Sequence, residues 1–155
     1  MEERQSFEEG AHRVLDRNLF LFLLDLEVKR ARRYQNYICL LHLKLNTVMD
    51  EVSLQELETC HETLGDLLSV EMRDSDLLAP WGENQWLVLL PYADHQTGKK
   101  ARSRFEETLR YFDFKKRGID IAIDQWVFPG QWTNAVDLVH HVLSSGSDGK
   151  ERGHG

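Results

Sequence analysis

Two short stretches of the sequence carry side chains whose types and spacing could do chemistry. Arg73 and Asp76 stand three residues apart in the run RDSD. A guanidinium presents a planar fork of donors that matches a phosphate, and a carboxylate accepts hydrogen bonds from N–H donors. The pair could therefore bind a ligand that offers both kinds of group. The second stretch, GENQW at 82–86, places one glycine before three polar residues, which is typical of a turn.

Helix and strand patterns precede these stretches. Apolar residues at helical spacing predict a first helix from Val14 to Tyr34, and YICLLHLKL at 37–45 predicts a central strand. The capping box SLQE at 53–56 predicts the start of a second helix that ends near Arg73. The apolar residues at helical spacing in the first helix are Leu15, Leu19, Phe22, Leu23 and Leu26.

The remaining elements follow the same kind of pattern. Short apolar runs at 77–80 and 85–90 flank the glycine-containing turn and predict a hairpin. Asp94 can cap a third helix, the run at 119–128 alternates as a strand does, and 134–143 predicts a short last helix. This order predicts an α+β fold, an α/β sandwich with a central mixed sheet flanked by helices.

Composition limits the class of protein. The chain has 155 residues and a formal net charge of −7, which favours one globular domain and argues against nucleic-acid binding. No apolar run reaches the ~20 residues that span a bilayer, so we predict a cytoplasmic location without membrane insertion. We expect a lead-in at 1–11, a domain at 12–143 and a flexible tail at 144–155, with Cys39 and Cys60 as buried, reduced thiols.

The run MRDSDLLAPWGENQWLVLLP resembles the centre of the GGDEF domain, the diguanylate cyclase family. The usual family run is approximately R-x-S-D-x-x-x-R-Y-G-G-D-E-F, followed by an apolar strand ending in L-P. The register holds without a gap from Arg73 to Pro91, and elsewhere over 12–143 the likeness is one of element order and pattern. The resemblance implies the palm-like sheet that nucleotide cyclases share with polymerases.

The sequence departs from the family at the positions that the resemblance assigns to catalysis. Lys44 stands where the family has a metal-binding carboxylate at the end of the first strand. The segment TVMDEVSLQELE is a shortened, poor match to the family stretch that helps to form the guanine pocket. In the turn Gly82 is kept, and the next four positions have become Glu83, Asn84, Gln85 and Trp86. Because Mg²⁺ at phosphate-transfer sites relies on carboxylates, we predict no metal, no cofactor and no cyclase activity.

The resemblance also implies a second site. Family members often bind their product, cyclic di-GMP, at an inhibitory R-x-x-D placed five residues before the two glycines, and Arg73–Asp76 matches the letters and the offset. The same letters at Arg13–Asp16 and Arg117–Asp120 lack that offset. Arg104 matches the arginine that the family adds from the next helix, and Arg102 matches it less well. The alternative interpretation is an ion pair at a helix end beside a solvated helix face.

We therefore predict an inactive bacterial signalling domain that binds cyclic di-GMP and passes the signal to a protein partner, with a homodimer as a further expectation. One alternative is a scaffold or protein-interaction module that uses no nucleotide, and another is a domain that binds GTP without turnover. The neighbouring pairs Cys60–His61 and His140–His141 do not have zinc-site spacing. The four tryptophans are expected to serve packing.

Overall fold

Helices and strands alternate along the chain in nearly the predicted order. The computed structural model describes residues 14–129 and 134–141. In chain order the elements are α1 (Arg17–Tyr34), β1 (Ile38–Thr47), α2 (Leu54–Glu71), β2 (Leu77–Pro80), β3 (Gln85–Pro91), α3 (His95–Phe112), a 3₁₀ helix (Phe114–Arg117) and β4 (Ile119–Phe128), followed by a helical segment at 135–141. The predicted lead-in at 1–11, the tail at 144–155 and residues 142–143 of the predicted last helix lie outside the described residues.

Each long helix begins at a side-chain cap. Asp16, Ser53 and Asp94 each accept a hydrogen bond from the backbone N–H three residues later, at 2.8, 3.0 and 2.9 Å. These bonds satisfy donors that the first turn of a helix leaves free. The first helix therefore starts after Asp16 and not at Val14, which instead forms an isolated parallel bridge with Leu78.

The four strands form one sheet in the order β2-β3-β1-β4, and all three pairings are antiparallel. The prediction of a mixed sheet was therefore wrong for these strands. Each helical crossover skips one position: α2 leads from β1 to β2 across β3, and α3 leads from β3 to β4 across β1. Among these four strands parallel ones are thus never neighbours, although both crossovers connect strands that run the same way.

Helices cover both faces of the sheet. Helices α2 and α3 pack on the face that carries Cys39, Leu41 and Leu43, while α1 and the segment 135–141 pack on the opposite face. None of the described helices is long and apolar enough to cross a membrane. Both cysteines are buried and unpaired, and burial raises the pKa of the Cys39 thiol to about 12.

The side of α1 that faces the sheet differs from the set of apolar residues that predicted the helix. The helix buries Phe20, Leu24, Val28 and Ala31 against the sheet. Leu19, Phe22 and Leu26, whose helical spacing predicted the helix, are 43%, 61% and 40% exposed. Because this helix carries apolar residues on more than one side, helical spacing alone could not identify the side that faces the sheet.

Candidate functional site

The turn that joins α2 to β2 carries Arg73 and Asp76. The Asp76 carboxylate accepts a hydrogen bond from the Arg73 backbone N–H at 2.8 Å, and the Asp76 N–H donates to the Arg73 carbonyl at 3.0 Å. Asp76 is buried and Arg73 is exposed. Among the described residues the Arg73 guanidinium has no hydrogen-bond or ion-pair partner. The carboxylate thus closes the turn, and the predicted alternative of an Arg73–Asp76 ion pair does not form.

Arg104 lies beside this turn because α3 packs against the end of α2. Its Nε lies 3.3 Å from a carboxylate oxygen of Glu71, and its NH2 group donates to the Glu71 carbonyl at 3.4 Å. Thr108 donates to the other carboxylate oxygen of Glu71 at 2.9 Å. Since Glu71 is the last residue of α2, a cation here also complements the helix C-terminus. The structure therefore brings Arg104 to the point where the Arg73 turn begins.

Arg102 belongs to a different part of the surface. Its Nε pairs with Glu106 at 2.8 Å on the same helix. Both residues line two adjoining cavities, of about 740 and 500 Å³, between α3 and β4. Of the two arginines considered in the sequence, only Arg104 contacts the end of α2. Glu71 and Thr108 were not predicted, because neither belongs to a recognisable motif.

The second stretch forms the turn between β2 and β3. Gly82 and Asn84 have φ values of +66° and +63°, which glycine and asparagine tolerate better than other residues. The Asn84 carbonyl accepts from the backbone N–H of Leu45 at 2.9 Å, so the turn is tied to β1. In the β1–β3 register Lys44 stands opposite Gln85. The structure therefore brings Lys44 and the turn together, as the resemblance implied.

Trp86 anchors this turn to the core. Its indole N–H donates to the His61 carbonyl at 3.0 Å, and its ring stacks on the His61 ring with centroids 4.8 Å apart. The ring lies so close to Gly65 that a Cβ there would come within 2.4 Å of it. Trp86 is 5% exposed and therefore serves packing, as predicted.

The sheet surface beside the turn is polar. On the side that α1 covers only in part, six polar residues lie on three adjacent strands: His42, Lys44, Asn46, Gln85, Asp120 and Asp124. We call this set the polar sheet face. In the sequence, polar residues at 42, 44 and 46 alternate with leucines, which indicates a strand with one polar side. The polar sheet face was not predicted, because the strand as a whole reads as evenly apolar.

His42 is the buried member of the polar sheet face, at 2% exposure. Its Nε2–H donates to the Gln85 side-chain oxygen at 2.8 Å, and Nδ1 is buried with no hydrogen-bond partner among the described residues. Burial lowers the pKa of His42, and neighbouring Lys44 acts in the same direction, while the bond to Gln85 and the charge of Asp124 oppose the shift. Burial therefore favours the neutral form of the His42 ring.

The donor set at the turn does not fit Mg²⁺. Lys44 supplies an ammonium and Asn84 a neutral amide at the two positions that the resemblance assigns to carboxylates. Within 14–129 and 134–141, no three or more His, Cys, Asp and Glu side chains are grouped so as to hold a metal ion. Two of the histidines considered as metal ligands contact tryptophan rings. The His141 ring meets the Trp126 ring edge-on with centroids 5.4 Å apart, and the His61 ring stacks on the Trp86 ring.

No family model and no curated protein matches this sequence. Solved structures do match. A DGC protein from Thermotoga maritima has a TM-score of 0.72 at 17% identity, covering 87% of this chain and 97% of that one. The FimX GGDEF domain from Pseudomonas aeruginosa has a TM-score of 0.71 at 18% identity, covering 87% and 88%. A microbial GGDEF domain described in a new interaction mode with cyclic di-GMP has a TM-score of 0.60 at 15% identity, covering 90% and 86%. The chain has the fold of a GGDEF domain.

Proposed function

We propose that this chain, which has the GGDEF-domain fold, is a catalytically inactive signalling domain that binds cyclic di-GMP through Arg73, Asp76 and Arg104. One observation carries the proposal: the exposed guanidinium of Arg73, which has no partner among the described residues, stands on a turn that follows the helix end contacted by Arg104. Two arginines from different elements then lie beside the same turn, where a ligand with two phosphates and two guanine bases can engage both.

Asp76 is given two parts in this proposal. Its carboxylate accepts from the Arg73 backbone N–H and so holds the turn that presents the Arg73 guanidinium. A carboxylate is also the kind of acceptor that the N1–H and N2–H₂ donors of guanine require. Asp76 would thus hold Arg73 in place and accept from the base.

Inactivity as a cyclase is supported by the chemistry of the β2–β3 turn. The Lys44 ammonium stands opposite Gln85 in the sheet and repels a divalent cation. The side chain of Glu83, in place of a second glycine, adds bulk and negative charge where a triphosphate would approach. The turn keeps the backbone that a nucleotide site could use, without the carboxylates that hold its metal.

Calorimetry with cyclic di-GMP and with GTP tests this function. We expect saturable binding of cyclic di-GMP that Arg73→Ala weakens about tenfold to a hundredfold, since a charge-assisted hydrogen bond contributes ~1.5–3 kcal/mol. Arg117→Ala is the matched control, because Arg117 begins the same R-x-x-D letters on the 3₁₀ helix and is also exposed. Arg13, which begins the third such tetrad, lies outside the described residues.

Other outcomes would select other functions. If cyclic di-GMP gives no heat at high concentration while GTP binds without turnover, the domain is a GTP-binding module. If neither nucleotide binds, the domain is an interaction module or scaffold. Under the leading proposal the bound nucleotide changes contact with a protein partner in the bacterial cytoplasm, and Arg104 could be supplied by the same chain or by a second copy.

A further inference from the structure

The two edges of the sheet are protected to different degrees. At one edge, β2 has only four residues, ends in Pro80 and is covered at Leu78 by the bridge from Val14. At the other edge, β4 has ten residues and no proline, and in the part of the chain that the structure describes it pairs on one side only, with β1. Proteins usually shorten, cover or interrupt an edge strand, because its outward peptide groups accept further strands. The long edge of β4 is therefore suited to take up another strand.

The register fixes which peptide groups of β4 point outwards. The Val48 N–H donates to the Gly118 carbonyl at 2.8 Å, one step beyond the last β1–β4 pair, Thr47 with Ile119. Hydrogen-bonded pairs recur at every second residue of an antiparallel ladder, so the even-numbered residues of β4 bond to β1. The peptide groups of the odd-numbered residues therefore face away from β1. We call these residues the outer edge: Ile119, Ile121, Ile123, Gln125 and Val127.

The two cavities between α3 and β4 lie along the outer edge. The larger, of about 740 Å³, is lined by Ile121 and Ile123 of the edge and by the apolar side chains of Leu109 and Phe114. The smaller, of about 500 Å³, continues the groove to Gln125. Because side chains alternate between the two faces of a sheet, a strand added at the outer edge would send every second side chain into these cavities. The lining of the larger cavity favours apolar side chains there.

The opposite side of the same strand carries two carboxylates. Asp120 and Asp124 belong to the polar sheet face, and neither forms an ion pair among the described residues. A second copy of β4 in antiparallel pairing would add its own two carboxylates on the same side of the joined sheet, where like charges on adjacent strands repel each other. A strand with lysine or arginine at these positions complements the two carboxylates instead. Charge therefore selects a basic strand over a second copy of this chain.

We propose that the outer edge binds an extended segment of a partner protein as an added antiparallel strand. In this segment two basic residues, four positions apart, stand opposite Asp120 and Asp124. Two apolar residues between them stand opposite Ile121 and Ile123 and place their side chains in the larger cavity. In strand addition the backbone hydrogen bonds supply affinity and the alternate side chains supply specificity. The outer edge is at the far side of the sheet from β2 and the Arg73 turn, so the proposal does not depend on nucleotide binding.

Amide hydrogen exchange of the full chain, measured by nuclear magnetic resonance without nucleotide, tests the added strand. The probe is the peptide Thr-Lys-Val-Thr-Val-Lys-Thr, blocked at both ends, which we call the lysine peptide. Without it, Ile121 and Ile123 should exchange faster than Ala122 and Asp124, whose N–H groups bond to β1. At about ten times its Kd the peptide should slow exchange at Ile121 and Ile123 about tenfold and leave Ala122 and Asp124 unchanged.

Charge reversal tests the choice of a basic strand. The wild type should bind the lysine peptide about fivefold or more tightly than the same peptide with glutamate in place of both lysines, and Asp120→Lys/Asp124→Lys should reverse this preference. Asp66→Lys is the matched control, because Asp66 is an exposed carboxylate on α2, and it should leave the preference unchanged.

A proline tests the backbone bonds of the outer edge. Ile121→Pro removes an outward N–H without removing a bond to β1, and should weaken binding of the lysine peptide about tenfold. Ile121→Ala keeps that N–H and should have a smaller effect. Circular dichroism of every variant checks that the fold is intact, and the charge reversal remains a test if the proline variant does not fold.

Four results would overturn the proposal. The first is no change in exchange with the lysine peptide at millimolar concentration, and the second is equal affinity for the lysine and glutamate peptides. The third is slow exchange at Ile121 and Ile123 without peptide and at every protein concentration, which would show that the chain covers its own edge. The fourth is protection of these two amides that grows with protein concentration, which would assign the outer edge to a second copy.

Discussion

The two turns at the ends of β2 differ in how many residues of the family motif each carries. The turn before the strand, Arg73 to Asp76, has both the motif residues and a geometry that leaves a guanidinium exposed. The turn after it, Gly82 to Gln85, has the positive φ values and the bond to β1 that hold it in place, with only one motif letter left. The first turn therefore carries both residues of the proposed site, while the second has the geometry of a tight turn with one residue of the family motif.

The difference shows that backbone geometry and site chemistry are maintained by different residues. The β2–β3 turn is held from beneath by Trp86 and from the side by β1, and neither contact involves a residue that would bind a nucleotide. Contacts that belong to the fold are thus sufficient to hold such a turn whatever residues its tip carries. At the Arg73 turn, in contrast, Asp76 serves both the fold and the proposed site, so the two requirements coincide there.

The largest effect is expected at the anchor of the second turn. Trp86→Ala should lower the free energy of unfolding by about 3–5 kcal/mol, because it removes a buried ring that stacks on His61 and packs on Gly65. Urea denaturation measures this change. Tyr111→Ala is the control, since Tyr111 is 87% exposed and should change the same quantity by less than about 0.5 kcal/mol. Equal effects of the two variants would show that packing does not hold the turn.

A smaller effect is expected from the titration of His42 beside that turn. Its pKa in the folded state lies below the ordinary 6.5, chiefly because of burial. As the pH falls below 6.5 the unfolded chain takes up a proton that the folded chain does not, so stability must decrease towards acid. Each unit by which the pKa is lowered corresponds to ~1.4 kcal/mol. The measurement is the free energy of unfolding at several pH values on both sides of 6.5.

His42→Gln sharpens this test because the introduced amide can still donate to Gln85 without titrating. We expect the variant to lose part of the pH dependence. The remainder should include His61, whose pKa is also lowered by burial. A pH dependence identical to that of the wild type would show that His42 is not held neutral in the fold.

Local signals in the sequence predicted most of the fold. The caps at Ser53 and Asp94, the hairpin around Gly82 and the strand at 119–128 all form as predicted, because each is fixed by residues close in the chain. Two other features could not be read in this way. The buried side of α1 depends on which of several apolar rows meets the sheet, and the purely antiparallel pairing of β1–β4 depends on crossovers that skip a strand.

The candidate site was predictable in part for the same reason. Arg73 and Asp76 form a local motif with a fixed offset from Gly82, so their shared turn followed from the sequence. The ion pair between Arg104 and Glu71 joins residues from two helices, and nothing local indicated it. The prediction that follows concerns this contact.

Glu71 competes with any ligand for the guanidinium of Arg104. Glu71→Gln should therefore tighten cyclic di-GMP binding about two- to fivefold, since the ion pair is partly exposed and worth ~0.2–1 kcal/mol. The introduced amide can still accept from Thr108. Glu106→Gln is the matched control, because it releases Arg102 on the same helix in the same way. Calorimetric titration of both variants measures the change, and weaker binding by Glu71→Gln would instead make Glu71 a positioning residue for Arg104.

No gain of cyclase activity is expected when carboxylates are placed in the second turn and in the strand beside it. We predict that neither the wild type nor Lys44→Asp/Asn84→Asp makes cyclic di-GMP from GTP with Mg²⁺ or Mn²⁺, measured by chromatography beside an active GGDEF domain. Glu83 still crowds the turn in the double variant, and Gln85 remains bonded to His42 on the polar sheet face. The shortened segment after β1 is unchanged as well. Product from the double variant would show that the second turn lacks only two carboxylates of a cyclase site. Product from the wild type that is lost in Asn84→Ala would show that the second turn is catalytic as it stands.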